Sequence, residues 1–339
     1  MNKRLSLALT GLLVVGIAPV ASAQKINACG ATFPDPIYKK WFGEFGKAHK
    51  GVQINYEANG SGGGVKGVTD GTVDFGASDM PMTDQELAAV KSGKILHFPT
   101  VLGAVVPIYN LSGVTQELKF SGPVLADIFL GTISKWSDKR IAAENPGVKL
   151  PNEDIVVVHR TDGSGTTFVW TDFLAKVSPE WKSKVGAAKS VSWPKGLGGP
   201  QSAGVTGLVK QNPYSISYVE LLYALQNKIG YGQVKNSSGT FVKADVASVT
   251  EAAAGAAKNM PEDFRVSITD PPGKNAYPIS TFTWLLIPNK FSDPAKAAQV
   301  KAMLHWVLTE GQKDCAALSY APLPQAVVTK EMKQIDAIQ

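Results

Sequence analysis

Four short segments of the 339-residue chain place hydrogen-bond donors at the spacing that can wrap a small oxyanion. Gly30-Ala31-Thr32-Phe33-Pro34 lies between an expected strand and an expected helix. A helix start offers unpaired N–H groups and a positive dipole end, and Thr32 adds a hydroxyl; alone, Thr32 equally suits an ordinary turn or cap. Asn59-Gly60-Ser61-Gly62-Gly63-Gly64 again follows a strand and precedes a helix. Its glycines let the backbone approach a small anion while Ser61 donates. In Asp74-Phe75-Gly76-Ala77-Ser78-Asp79 a strand ends in an acid. Such an Asp commonly caps the next turn or helix. Beside an anion it is repulsive unless the ligand carries a proton, a condition that hydrogen phosphate meets and sulfate does not. In His159-Arg160-Thr161-Asp162-Gly163-Ser164-Gly165-Thr166-Thr167, Arg160 can present a planar fork to a tetrahedral anion and Asp162 can steady it. Ser164, Thr166 and the amides at Gly165 and Thr166 add directional donors, although a plain Ser-Gly-Thr helix cap reads the same way.

Other chemistries fit these residues less well. Gly62, Gly64 and Gly67 satisfy G-x-G-x-x-G, but no clear acid stands ready for a ribose, and no Gly-Lys-Ser/Thr follows to make a nucleotide-phosphate loop. Ser164 lacks the glycine two residues upstream that a hydrolase elbow needs, since Asp162 is there. The histidines, His49, His97, His159 and His305, stand apart, and no His/Cys/Asp cluster has metal-ligand spacing, so neither a metal nor another cofactor is expected.

The elements that must position these loops follow an α/β pattern, in which β-branched runs alternate with amphipathic segments. Strands are expected over Lys25–Ala28, Val52–Glu57, Val73–Ala77, Thr100–Tyr109, Asp154–His159, Ile216–Val219 and Phe282–Ile287. The spacing of Ile37, Trp41 and Phe45 predicts a helix over Asp35–His49, with Pro36 in its first turn. Further helices are expected over Gly62–Thr69, Asp84–Lys91, Pro123–Leu130, Thr166–Lys176, Val219–Asn227, Val246–Lys258 and Pro294–Thr309. No linker divides the chain, so two domains that exchange strands are expected, with Thr100–Tyr109 and Asn275–Ser280 as candidate crossovers.

Lys3 and Arg4, the apolar run Leu5–Val20 and Ala21-Ser22-Ala23 have the three parts of a secretory leader, cleaved before Gln24. The mature chain is thus expected outside the cytoplasm. Losing Lys3 and Arg4 lowers the formal net charge from +6 to +4, which suits an anion but not a nucleic acid. Cys29 and Cys315 are the two cysteines. An oxidising compartment allows them a disulfide, two buried free thiols fit equally, and Ile26-Asn27-Ala28-Cys29 only faintly matches a lipid-attachment site.

These segments together resemble the periplasmic phosphate-binding subunit of bacterial phosphate ABC transporters. The likeness runs through essentially all of the mature chain and includes Phe98-Pro99-Thr100-Val101, Gly196-Leu197-Gly198-Gly199 and Tyr320-Ala321-Pro322-Leu323-Pro324. It implies a two-domain periplasmic binding protein fold (type II) with two crossover strands as the hinge. The implied division is 24–101 plus 279–339 for the first domain and 110–270 for the second, with 102–109 and 271–278 as crossovers. It further implies a monomer that carries inorganic phosphate to membrane permease subunits and is not an enzyme. An exported phosphatase or phosphoesterase is the alternative. The family's phosphate-binding residues carry over to Thr32, Phe33, Ser61, Asp79, Arg160, Ser164, Gly165 and Thr166, and its arginine-steadying acid to Asp162. One departure is Gly62, where a second serine is common, at the cost of a donor or a looser loop.

Overall fold

The computed structural model describes residues 24–91 and 93–339; the expected leader at 1–23 lies outside the described residues. Twelve strands are present among them: β1 (Gln24–Gly30), β2 (Val52–Glu57), β3 (Phe75–Ser78), β4 (Ile95–Tyr109), β5 (Lys119–Phe120), β6 (Val156–Arg160), β7 (Leu197–Gly199), β8 (Ser215–Glu220), β9 (Gly230–Tyr231), β10 (Gln233–Lys235), β11 (Phe241–Val242) and β12 (Ser280–Pro288). The helices are α1 (Asp35–Ala48), α2 (Ser61–Asp70), α3 (Asp84–Ala88), α4 (Gly122–Leu130), α5 (Lys139–Glu144), α6 (Gly165–Val177), α7 (Pro179–Lys184), α8 (Gln201–Gln211), α9 (Leu221–Asn227), α10 (Val246–Lys258), α11 (Pro294–Leu308) and α12 (Gln325–Ile335).

Eight strands follow the order β2-β1-β3-β12-β4-β8-β6-β7 in one sheet, and β9 pairs with β4. Two parallel groups stand at its ends, β2-β1-β3 and β8-β6-β7, and antiparallel β12 and β4 lie between them. Val101 through Tyr109 of β4 are all buried, so this strand must be covered on both faces, as its unbroken apolar run requires. Its first part, to Ala104, pairs with β12, and its second part, from Val105, pairs with β8. One strand therefore leaves the first group and enters the second. The return runs through 270–280, where the Val105 amide donates to Ile279 O at 2.9 Å and the Tyr277 hydroxyl to Val105 O at 3.0 Å. β12 then re-enters between β3 and β4, so the first group is built from both ends of the chain.

The expected α1, β2 and α10 appear within a residue of their predicted bounds. The helix expected over Asp84–Lys91 ends at Ala88, and Gly93, with φ +74°, turns the chain toward β4. Four helices were not expected: α5, α7, α8 and α12. The α8 sequence, Gln-Ser-Ala-Gly-Val-Thr-Gly, is too rich in small residues to show an apolar stripe. The disulfide considered for Cys29 and Cys315 is not formed, and both are buried free thiols. Cys29 Sγ lies 3.6 Å from Gly63 O, and Cys315 Sγ packs beside Gly311 O at 4.0 Å.

Candidate functional site

Each of the four donor segments begins at the C-terminal end of a parallel strand, where open α/β sheets characteristically bind their ligands. β1 feeds the turn that starts α1, β2 the glycine loop that starts α2, β3 ends at Asp79, and β6 ends at Arg160 before α6. Because β4 joins the two parallel groups, the first three segments face the fourth and touch it, Ser61 at Gly165 and Gly62 at Gly163.

Arg160 is 4% exposed, and its guanidinium is held on two sides. Nε donates to Asp162 Oδ1 at 2.8 Å and Nη2 to Asp162 Oδ2, while Nη1 reaches Thr32 Oγ1 at 3.2 Å and Ser202 Oγ at 3.3 Å. Burial alone would raise the Asp162 carboxyl, but the arginine bonds hold it below its ordinary value. The Gln201 amide, at the start of α8, also donates to Asp162 Oδ1 at 2.8 Å. A bidentate pair of this kind fixes the plane of the fork, so the Nη1 edge is presented in one direction.

Thr32 is buried, and its hydroxyl lies 2.7 Å from Ser202 Oγ. Its carbonyl accepts from the Tyr223 hydroxyl of α9 at 2.7 Å, and the Phe33 carbonyl accepts from the Tyr320 hydroxyl at 2.7 Å. The Phe33 ring packs against Gly103 of β4, where an added Cβ would come within 2.6 Å of Cζ. The Thr-Phe turn is therefore seated directly on the crossover strand. Neither α1 nor α2 has a side-chain cap, so both helix starts keep their backbone donors free of one.

Ser61 Oγ accepts from the Asp79 amide at 3.2 Å and from the Gly165 amide, across the cleft, at 3.0 Å. Its hydroxyl also bonds the Asp79 carboxyl and favours its ionised form. Ser164 Oγ likewise accepts from the Thr167 amide at 3.1 Å as the cap of α6, and so retains a donor. Gly62, the departure from the family pattern, closes the loops together rather than loosening them. Its amide donates to Gly163 O at 2.7 Å, and an added Cβ would lie only 3.1 Å from Gly163 Cα.

Asp79 is 1% exposed and accepts at both oxygens: Thr283 Oγ1 donates to Oδ1 at 2.9 Å and Thr166 Oγ1 to Oδ2 at 3.3 Å. Burial pushes its carboxyl up from 3.8 to about 7, against the Thr283 bond and the Arg160 charge that favour ionisation. It is the acidic acceptor in a cage otherwise made of donors and hydroxyls.

All the expected residues, Thr32, Phe33, Ser61, Asp79, Arg160, Ser164, Gly165 and Thr166 with Asp162 behind them, are thus brought together. Three contributors were not foreseen: Ser202, Tyr223 and Thr283. Ser202 follows the Gly196–Gly199 stretch at a helix start, the same strand-turn-helix grammar as the other segments. Thr283 sits in a buried strand, and only the hydroxyl run Ser280, Thr281, Thr283 marks it. Two of the isolated histidines serve in packing: His159 stacks on Trp193 at 4.9 Å, and His97 accepts from the Met82 amide at 3.0 Å. A surface hollow runs along β2 beside Gly43, Asn55 and Lys66, outside this cage.

The model of the PBP superfamily domain matches residues 18–310. The chain is 43% identical over 321 residues to a phosphate-binding protein PstS of Xylella fastidiosa strain Temecula1, covering 94% of this chain and 86% of that one. It is 42% identical over 335 residues to a phosphate-binding protein PstS of Pasteurella multocida, covering 98% and 96%. Among solved structures, a high-affinity periplasmic phosphate-binding protein, PfluDING, superposes with a TM-score of 0.74 at 23% identity, over 91% of this chain and 93% of that one; this likeness shows the two-domain fold. By sequence over nearly its whole length, the chain belongs to the PstS family of phosphate-binding proteins within the PBP superfamily.

Proposed function

We propose that this protein is a receptor that closes around inorganic phosphate in the cleft between its two lobes and delivers it to an ABC transporter for import. The single observation that carries the reading is Asp79, a buried carboxylate acceptor set among Arg160, Thr166, Ser61 and the helix starts. A fully ionised tetrahedral dianion would leave that carboxylate unpaired and repelled, whereas hydrogen phosphate offers it an O–H. Thr32, Phe33, Ser61, Arg160, Ser164, Gly165 and Thr166 are the proposed donors, and Asp162 keeps Arg160 in plane. The names of the relatives, all binding proteins, favour a receptor over a phosphatase.

The proposed lobes are 24–101 with 279–339, and 110–270, hinged at 102–109 and 271–278. The continuous β4 and the return through 270–280 support that division. The leader at 1–23 would carry the chain to the periplasm, where a monomer would meet the permease subunits. Deletion of the gene followed by uptake of radiolabelled phosphate tests the transport role. Uptake at scarce phosphate should fall sharply and return on complementation; unchanged uptake would leave binding without transport.

A further inference from the structure

We propose that Thr283 of β12 is a specificity-determining positioning residue, whose hydroxyl holds Asp79 as an ionised acceptor and thereby sets the preference for a protonated anion. The inference rests on the phosphate reading above. Thr283 is fully buried, and its Oγ1 donates to Asp79 Oδ1 at 2.9 Å. A hydroxyl bonded to one carboxylate oxygen stabilises the charged form and fixes the orientation of the other oxygen. Oδ2, the oxygen that Thr166 reaches from across the cleft, is the one turned toward the anion donors.

The placement of that hydroxyl follows from an irregularity in the sheet. β12 pairs with β4 in regular antiparallel register on either side, but Thr283 faces Val101 while Trp284 faces Pro99. One residue of β4, Thr100, is therefore extra, which is the geometry of a β-bulge. Bulges twist a strand locally and re-aim the side chains beside them, and they gather near ligand sites. Here the bulged residue is tied down. Thr100 Oγ1 donates to the Thr283 carbonyl at 3.2 Å, and it lies 2.7 Å from the buried Tyr38 hydroxyl of α1. Because the Thr100 proton goes to that carbonyl, the Tyr38 hydroxyl is the donor to Thr100. Tyr38 and Thr100 thus tie down the backbone of Thr283, whose hydroxyl donates to Asp79.

Other groups feel the same carboxylate. Arg160 is the cation that favours its ionised form. The hydroxyls of Tyr38, Tyr56, Tyr223 and Tyr320 and the carboxyl of Glu220 are raised, chiefly by burial and in smaller part by the charge of Asp79. The four tyrosine hydroxyls stay neutral near pH 7, and what opposes the burial of Asp79 is first the Thr283 bond, then the Arg160 charge and the bonds from Thr166 and Ser61.

The test is titration calorimetry of wild type, Thr283→Val and Thr283→Ser with phosphate and with sulfate, from about pH 5 to about pH 9. Valine keeps the shape without the hydroxyl, serine restores the hydroxyl, and ligand-free melting curves establish that each variant is folded. In Thr283→Val, phosphate affinity near neutral pH should fall about 10- to 100-fold, the range for one hydrogen bond to a charged group. The acidic limb of its pH profile should move upward by about one unit or more, because tenfold corresponds to one unit. The phosphate-to-sulfate ratio should narrow, and Thr283→Ser should recover both properties. A Thr283→Val protein with the wild-type pH limb and ratio would overturn the inference while leaving the phosphate reading intact. An equal loss for both anions without a shifted limb would also overturn it, as the mark of loosened packing. A wild type that binds no phosphate would overturn both.

Discussion

At the scale of single residues, the site opposes two groups that burial treats differently. Arg160 is locked by Asp162, so its Nη1 edge is a fixed donor. Replacing it by alanine should cost on the order of 2–5 kcal/mol of phosphate binding, the loss typical of a buried charge-assisted partner. Calorimetry on the folded variant checks this, and an unchanged affinity would place the site elsewhere. Asp79 is the reverse case. With its carboxyl raised from 3.8 to about 7, the folded, closed protein holds a proton that the unfolded chain has released across that interval. The unfolded state binds fewer protons there, so stability falls as pH rises from 3.8 toward 7. Asp79→Asn removes that dependence. With both proteins locked closed without ligand by a disulfide engineered across the two lobes, Asp79→Asn should melt a few degrees above wild type near pH 8, with the gap closing toward pH 4. A gap that grew on acidification would reverse the assigned sign. Arg160, Ser61 and Asp79 were legible because charge, hydroxyl and glycine stand beside one another in sequence. Thr283 and Ser202 were not, because each becomes part of the cage only through a partner far along the chain.

At the scale of elements, the loops do their work by letting backbone approach backbone. Gly165 opens α6 with its amide on Ser61 Oγ, and a Cβ there would come within 2.6 Å of that oxygen and 2.7 Å of the Asp79 amide. Both clashes arise across the cleft, not within the second lobe. Gly165→Ala should therefore fold with a nearly unchanged ligand-free melting temperature yet bind phosphate on the order of 100-fold more weakly, the equivalent of about two hydrogen bonds. Scattering in saturating phosphate should show it more extended than wild type; a variant that closes fully and binds normally would remove Gly165 from the closing surface. Strands and amphipathic helices were readable from period alone, as β2, α1 and α10 show. The helix α8 was hidden by its small residues, and the length of β4 was underestimated. The run from Ile95 contains His97 and Pro99, which read as breaks, but Pro99 falls beside the bulge at Thr100.

At the scale of the molecule, one strand and one return segment connect two parallel groups whose ligand-facing ends oppose each other. Contacts that span them include Ser61 with Gly165, Gly62 with Gly163, Thr32 with Ser202, Tyr223 with the Thr32 carbonyl, and the ion pair of Lys189 with Glu86. Three of these five involve Thr32, Ser61 or Gly165, which are proposed to hold the anion, so closure and binding would be one event, as in hinge-type receptors. In the proposed division, the 260–265 stretch is a further part of the second lobe that leans on the first. Trp284 Nε1 donates to Phe264 O at 2.9 Å, Lys330 Nζ to Met260 O at 3.0 Å, and Arg265 Nη1 to Met82 O at 3.0 Å. The two-lobed plan was legible from the alternation of elements and from the missing linker. The insertion of β12 between β3 and β4 was not, because strand order depends on pairing that no local pattern records. The purpose of the closed cleft reduces to a comparison of two anions of the same shape. Titration calorimetry of the wild-type protein with phosphate and with sulfate tests it most directly. Phosphate should bind tighter by about 10⁴-fold or more, because only its O–H satisfies Asp79; comparable affinities would contradict the phosphate filter.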